Sequence, residues 1–375
     1  MNKHAFDHEH IVFVLQGGGA LGAYQAGVFE EIAKFPREPV WIAGVSIGAI
    51  NAALIAGNPP KRRVARLREF WNLVSSGSCG ITPMVDEQRS AVHQLNAFVS
   101  ASMGVPGFYQ PRFPPPFLQA PGTPEAISFY DTSPLRATLE RLVDFDLINS
   151  QKLRLSVGAV NVRTGNSVYF DTRHQKIGPE HIMASGALPP AFPPVVIEGE
   201  AYWDGGIVSN TPLQYVLDRR EVARILIAQV DLFSATGAIP DNMPAVMSRQ
   251  KEIMYSSRTR FNTDTLAQIQ RNKRLVLDLI AKLPVKQRES ADIKRLRAAN
   301  RTAHIDVVHL IYRHSSFELE SKDYEFSRET VLEHWAAGKR DMQRTIEHPD
   351  LLIRNRVDDG VTVYDLAREV PKITR

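Results

Sequence analysis

Cysteine is nearly absent from this chain: Cys79 is the only one in 375 residues. No intrachain disulfide is possible, and paired-cysteine metal or redox motifs are excluded. Long apolar runs are missing as well. The first apolar stretch, Ile11-Val12-Phe13-Val14-Leu15, is too short for a signal-peptide core and leads straight into glycines. Nothing approaches the roughly 20 consecutive apolar residues of a membrane span, so a cytoplasmic location is expected. The net charge of +4 gives no argument for nucleic acid as a partner, although a pI near 9.1 leaves anionic surfaces open. Internal repeats and low-complexity tracts are lacking. So is any His-Glu-x-x-His or other ligand cluster, and neither metal nor cofactor is expected.

What remains is an ordinary globular composition, long enough for one large domain or two modest ones. Residues 11–57 read as strand, Gly-rich loop, helix, strand, turn and helix: Ile11–Leu15, Ala20–Lys34, Pro39–Ala43 and Ile47–Ala56, stopped by Gly57-Asn58-Pro59-Pro60. This βαβα start predicts a parallel sheet. A further amphipathic helix is expected over Arg62–Val74. Residues 76–125 mix aromatics with prolines and read as an irregular excursion or a lid. Strands follow at Leu153–Val160, Ser167–Asp171, Val195–Ile197, Ala201–Trp203 and Ala223–Val230, with a helix around His181–Ser185. Residues 1–10 read as a tail and 11–235 as the catalytic domain. Residues 236–375 read as a mainly helical C-terminal extension, with a long amphipathic stretch over Ile253–Leu283, a strand at His304–Tyr312 and a helix over Ser327–Ile346 capped by Ser327.

Three runs carry chemistry. Gly44-Val45-Ser46-Ile47-Gly48 fits the G-x-S-x-G elbow, a sharp strand-to-helix turn that lifts a serine hydroxyl off the sheet edge. Trp203-Asp204-Gly205-Gly206 offers one carboxylate in a sterically open turn. Gly17-Gly18-Gly19 supplies successive backbone N–H groups just ahead of a helix, where a developing oxyanion can be held. The same glycines, with Gly22, also fit a dinucleotide fingerprint. That motif needs an acidic residue after the next strand, and here none follows until Glu69. A conventional hydrolase triad would use a later histidine. His304, His309 and His314 lie downstream of Asp204, yet none has a distinctive local setting, and the elbow comes after only the second strand.

Together these residues resemble the patatin-like phospholipase family over roughly Ile11–Leu232. The resemblance rests on the triple glycine, the Ser46 elbow with its Ala-Ile-Asn-Ala helix, Asp204-Gly205-Gly206, and the run from Ala184 to Pro194 that precedes the aspartate. It implies a three-layer α/β/α fold with a mainly parallel central sheet. It also implies a serine acyl hydrolase of lipid carboxyl esters that uses Ser46 as nucleophile and Asp204 as base. Gly17, Gly18, Gly19 and Ile47 would supply the oxyanion hole, with Gly44, Gly48, Gly205 and Gly206 as motif glycines. Leu21 departs from the Arg or Lys that the family often carries there, which bears on substrate preference.

The residues leave a non-catalytic lipid-binding protein of the same fold open, and also a hydrolase of another ester such as an intracellular polyester. Lipid class, positional preference and oligomeric state are not encoded in any motif. Peripheral membrane contact is a further expectation. It would involve shallow insertion of Phe108, Tyr109, Phe113, Phe117 and Leu118, and attraction of anionic head groups by Arg271, Lys273, Arg274 and Lys282.

Overall fold

The computed structural model describes residues 10–35, 37–77, 86–220, 224–257, 259–300, 302–313, 318–348 and 360–365; Cys79 and His314 lie outside them. The chain opens with β1 (His10–Leu15), α1 (Gly22–Ile32), β2 (Trp41–Val45), α2 (Ile47–Ala56) and α3 (Pro60–Val74). Next come α4 (Asp86–Met103), β3 (Gln110–Pro111), β4 (Tyr130–Asp131), α5 (Ser133–Leu142) and α6 (Phe145–Asn149). The middle of the chain holds β5 (Arg154–Asn161), β6 (Ser167–Asp171), α7 (Pro179–Ser185), β7 (Val195–Ile197), β8 (Glu200–Asp204), α8 (Leu213–Arg219) and β9 (Arg224–Asp231). The last third supplies α9 (Met243–Tyr255), α10 (Thr259–Lys282), α11 (Val285–Arg288), α12 (Ala291–Ala299), β10 (His304–Ile311), α13 (Arg328–Glu347) and β11 (Val361–Tyr364).

Nine strands form one sheet in the order β11-β10-β9-β1-β2-β5-β8-β7, with β6 also paired to β5. From β11 to β5 every neighbour is parallel; β6 and β8 run antiparallel to β5, and β7 antiparallel to β8. Strands buried on both faces read as continuous apolar runs, which is why Ile11–Leu15 has no polar residue. Alternate residues still divide between two cores. Ile11, Phe13 and Leu15 pack with α1, α2 and α13, while Val12 and Val14 pack with Leu213, Val216 and Leu217 of α8 and Leu266 of α10. This is the three-layer α/β/α arrangement. Helix α2 is buried along its whole length, as its uniformly small and apolar sequence requires. None of the described helices is long and apolar enough to cross a membrane.

Several expectations are corrected. Residues 86–103, inside the segment read as irregular, form α4. Prolines cluster only after Gly104, and nothing in Asp86–Met103 breaks a helix. Phe108 and Tyr109 do not face outward: each is 6% exposed and packed against Phe192. Residues 253–283 are not one helix. The carbonyl of Tyr255 accepts from the side chains of Gln16 and Asn210, each at 3.0 Å, so α9 ends there and α10 begins at Thr259.

The residues beyond 235 add β10 and β11 to the sheet and lay α13 along α1. Gly27 and Gly338 make that crossing close. A Cβ on Gly338 would overlap the carbonyl oxygen of Tyr24, and one on Gly27 that of Trp335. Around the contact Tyr24 donates to Asp341 at 2.9 Å, and Glu30 accepts from Trp335 and Lys339, both at 2.7 Å. Gly338→Val should therefore force the helices apart and destabilise the protein by roughly 2–3 kcal/mol, read as a lowered urea midpoint. A variant as stable as the parent would show that the two helices do not pack at this distance.

Candidate active site

The parallel sheet places its functional loops at the carboxyl ends of β1 and β2, where open α/β sheets bind their ligands. Ser46 follows β2 with φ 56° and ψ −125°, a backbone conformation that a serine adopts only under compulsion. The compulsion is local packing. A Cβ at Gly44 would overlap the backbone of Gly48, and a Cβ at Gly48 would overlap the carbonyl of Leu15. With neither present, the turn closes and α2 starts immediately. Ser185, at the end of α7, holds the turn from the other side. Its Oγ accepts from the Ser46 N–H at 2.9 Å and donates to the Gly158 carbonyl at 2.6 Å.

Strand register brings Asp204 to the serine. Val45 lies opposite Gly158 on β5, and Asp204 lies opposite Ala159 on the far side of the same strand. Ser46 and Asp204 thus come to the same end of β5, where the serine side chain favours the ionised form of the carboxyl. Gly205 lies on the Gly158 carbonyl where a Cβ would not fit. The Gly206 N–H donates to Asp204 Oδ1 at 2.7 Å. Asp204 is buried, and among the described residues no cation contributes to its setting. Burial pushes its carboxyl up to about 7, against the opposing hydrogen bonds from Ser46 and Gly206.

The triple-glycine loop is held from both sides. Gly17 donates its N–H to the Asn210 carbonyl at 3.2 Å and accepts from the Asn210 side chain at 3.1 Å. Of the four candidate oxyanion donors, Gly17 therefore already has an acceptor. Among the described residues none takes the N–H of Gly18, Gly19 or Ile47, the last being a first-turn group without an intrahelical partner. Gly19, at φ 54°, lies against the backbone of Asp323, whose carbonyl accepts from the Ala20 N–H at 2.8 Å. Gln16, fully buried, anchors the start of the loop. Its Oε1 accepts from the N–H groups of Leu232 and Phe233 at 2.6 and 2.9 Å, and its Nε2 donates to Thr211 and Tyr255. Leu21 is buried in the core rather than facing the site.

Ser46, Asp204, Gly18, Gly19 and Ile47 line one cavity of about 420 Å³. Aromatic side chains form much of its wall: Phe108, Tyr109, Tyr130 and Phe192 from the middle of the chain, and Phe233, Tyr255, Tyr324 and Phe326 from beyond β9. Among the described residues Lys251 is the one cation on the wall, and it reaches Asp323 at 2.6 Å. Among the described residues no histidine lines the cavity. His309 pairs with Asp231 at 2.6 Å and His334 with Glu318 at 2.7 Å, while His304 sits exposed at the start of β10. Among the described residues no three His, Cys, Asp or Glu side chains gather into a possible metal site.

Gln16, Ser185 and Asn210 were not singled out in the sequence. Ser185 falls inside the run before the aspartate, and Asn210 six residues after it, so proximity to the motifs was the available signal. Gln16 adjoins the triple glycine as well, but its anchoring role is not local, because its side-chain partners come from residues 211, 232, 233 and 255.

A serine at a sharp strand-to-helix elbow of a mainly parallel sheet layered between helices, with a buried aspartate on an antiparallel strand two places along, puts the chain in the α/β class with a serine-centred site. Residues 13–217 match the family described as patatin-like phospholipase, and residues 253–358 match a second one described as patatin phospholipase. The chain belongs to the patatin-like phospholipase family. It is 25% identical over 228 residues to a cGAMP-activated phospholipase of Vibrio cholerae, a match covering 55% of this chain and 58% of that protein. To an Escherichia coli protein of the same description it is 33% identical over 94 residues, covering 22% and 26%. The alignments thus span little more than half of one relative and about a quarter of the other. VipD from Legionella pneumophila aligns with 95% of this chain and 72% of its own at 16% identity and a TM-score of 0.39.

The raised carboxyl has a consequence for stability. Folding favours the neutral form of Asp204, so its contribution is complete below the ordinary carboxylate value of 3.8 and is lost as pH rises through about 7. Relative to Asp204→Asn, which cannot ionise, the wild type should lose stability from about pH 4 to pH 7, by on the order of a few kcal/mol, and the gap should then stay constant. Paired urea titrations across this range measure it. A pH-independent gap would mean that the carboxylate is not desolvated.

Proposed function

We propose that the protein is a serine acyl hydrolase of lipid carboxyl esters, acting through a dyad of Ser46 and Asp204. The observation that carries this reading is Ser46 lining one apolar cavity with the buried carboxyl of Asp204, beside the N–H groups of Gly18, Gly19 and Ile47, for which none of the described residues is an acceptor. The aromatic wall suits an acyl chain.

In the first half-reaction Ser46 Oγ attacks the ester carbonyl carbon while its proton passes to Asp204. Negative charge collects on the former carbonyl oxygen. Gly18, Gly19 and Ile47 donate to it, and the amino end of α2 adds its positive dipole. When the tetrahedral intermediate collapses, Asp204 returns the proton to the departing alcohol, leaving an acyl-serine. Water then attacks this ester, giving its proton to Asp204. The serine is released with that proton, and the fatty acid leaves. A buried carboxyl near neutrality suits a base that must accept and return a proton in each half-reaction.

Ser46→Ala should abolish ester hydrolysis and labelling by a fluorophosphonate while the protein stays folded. Asp204→Asn should lower kcat by on the order of 10³ or more. His304→Ala, His309→Ala and His334→Ala should each leave it within about tenfold of the parent. A histidine variant as inactive as Asp204→Asn would favour a triad, and a parent that never labels would favour a non-catalytic lipid-binding protein.

The pH profile gives a second test. Asp204 must be ionised to accept the proton, so kcat/KM should rise with unit slope through about pH 7 and level off above it. A profile flat from about pH 5.5 to 9 would remove Asp204 from the role of base.

A further inference from the structure

Helices on a protein surface normally turn their apolar stripe inward. Two helices at the catalytic cavity do the reverse. On α9 the inward side is polar: Ser248 and Glu252 are buried, Glu252 takes Lys322 at 2.5 Å, and Lys251 reaches Asp323 at 2.6 Å. Its outward stripe is Met243, Val246, Met247, Ile253 and Met254, with Met243, Met247 and Met254 at 68%, 53% and 62% exposure. Only Gln250 interrupts it. On α4, His93, Asn96 and Ser100 are buried, whereas Phe98 and Met103 are 67% and 75% exposed.

Both helices also wall the cavity, α4 through Ala101 and α9 through Lys251 and Tyr255. A further wall residue, Gly206, runs directly into exposed Ile207 and Val208. Apolar surface gathered in this way marks a contact with lipid or with another protein. Continuity with the cavity decides between them. If the substrate is a lipid ester, it must pass from a lipid phase into the cavity, and the two inverted helices are the cavity's own walls. A protein seated on them would face that same route.

We propose that the outward faces of α4 and α9 form a lipid-docking surface that seats the cavity on a bilayer interface. The proposal rests on the acyl-hydrolase reading above. Helix α9 lies in the plane of the interface, as short amphipathic helices do, with its flexible methionines among the acyl chains. The stripe on α9 carries no charge, so docking is by apolar insertion. This differs from the expectation of basic residues attracting anionic head groups.

The test uses the full chain and vesicles of phosphatidylcholine alone. Wild type should float with the vesicles, with little change between about 0.1 and 0.5 M NaCl. The double variant Met247→Glu, Met254→Glu and the single variant Phe98→Glu should each lower the partition coefficient at least about tenfold. Hydrolysis of the vesicle lipid should fall in proportion, while the rate on soluble p-nitrophenyl butyrate stays within about twofold, since none of these side chains lines the cavity. Met247→Gln with Met254→Gln repeats the test without new charge. Unchanged flotation of the variants overturns the proposal. So does a wild-type dimer in light scattering that the same substitutions dissociate, because the face would then join two copies of the chain. If wild type hydrolyses neither ester, the acyl-hydrolase reading fails, and flotation still decides the docking surface.

Discussion

Ser46 holds φ 56° because two glycines let three pieces of backbone occupy almost the same space: the end of β1, the end of β2 and the first turn of α2. Nearly everything in the site is referred to this contact. It sets the serine hydroxyl above the sheet and starts α2 with its free N–H groups beside that hydroxyl. It also brings the loop after β1 alongside. The conformation costs energy that the surroundings must offset. They do so with a wholly buried α2, the bond from Ser46 N–H to Ser185, and the parallel pairing of β2 between β1 and β5. A looser elbow would keep the same residues and lose their relation to one another.

Two buried aspartates show how differently the fold treats one side chain. Burial alone would raise both. At Asp171, hydrogen bonds from Arg154, Ser156 and the backbone of Arg173 outweigh it and hold the carboxyl below the usual range. That group is a structural anchor. At Asp204 only Ser46 and the Gly206 N–H oppose burial, and the carboxyl rises to about 7. The fewer partners at Asp204 leave its carboxyl high, at the expense of stability above neutral pH.

The residues beyond β9 complete this site and do not merely trail behind it. The Asp323 carbonyl braces Gly19 and Ala20, the Tyr255 carbonyl receives Gln16 and Asn210, and Phe326 closes the aromatic wall against Phe108 at 5.8 Å. The triple-glycine loop is therefore gripped by groups drawn from residues 210 to 323. The same region contributes the polar inner side of α9, whose ion pairs with Lys322 and Asp323 leave its methionines facing outward.

Much of the catalytic half was legible because its signals are local. Ile11–Leu15 and Ile47–Ala56 announce buried elements by composition alone, and Gly44 and Gly48 mark a turn whose crowding follows from its own geometry. Gly17–Gly19, Ser46 and Asp204 could be picked out because each stands in a distinctive glycine-rich setting of its own. Legibility failed where a pattern depends on what lies across the fold. Helix α4 went unseen because Leu95, Phe98 and Met103 face out while His93, Asn96 and Ser100 lie buried beside Ala97, so the usual periodicity points the wrong way. The break after Tyr255 is made by side chains of Gln16 and Asn210, more than 40 residues away in sequence. Phe108 and Tyr109 resembled loop aromatics until packing against Phe192 turned them inward. By itself, then, the sequence determined the strands, the elbow and the chemical character of the serine and the aspartate, since these follow from steric limits within a few residues. Tertiary structure decided the register that sets Asp204 beside Ser46, the desolvation that lifts its carboxyl, and the acceptor that occupies Gly17, since each depends on distant groups converging on one point.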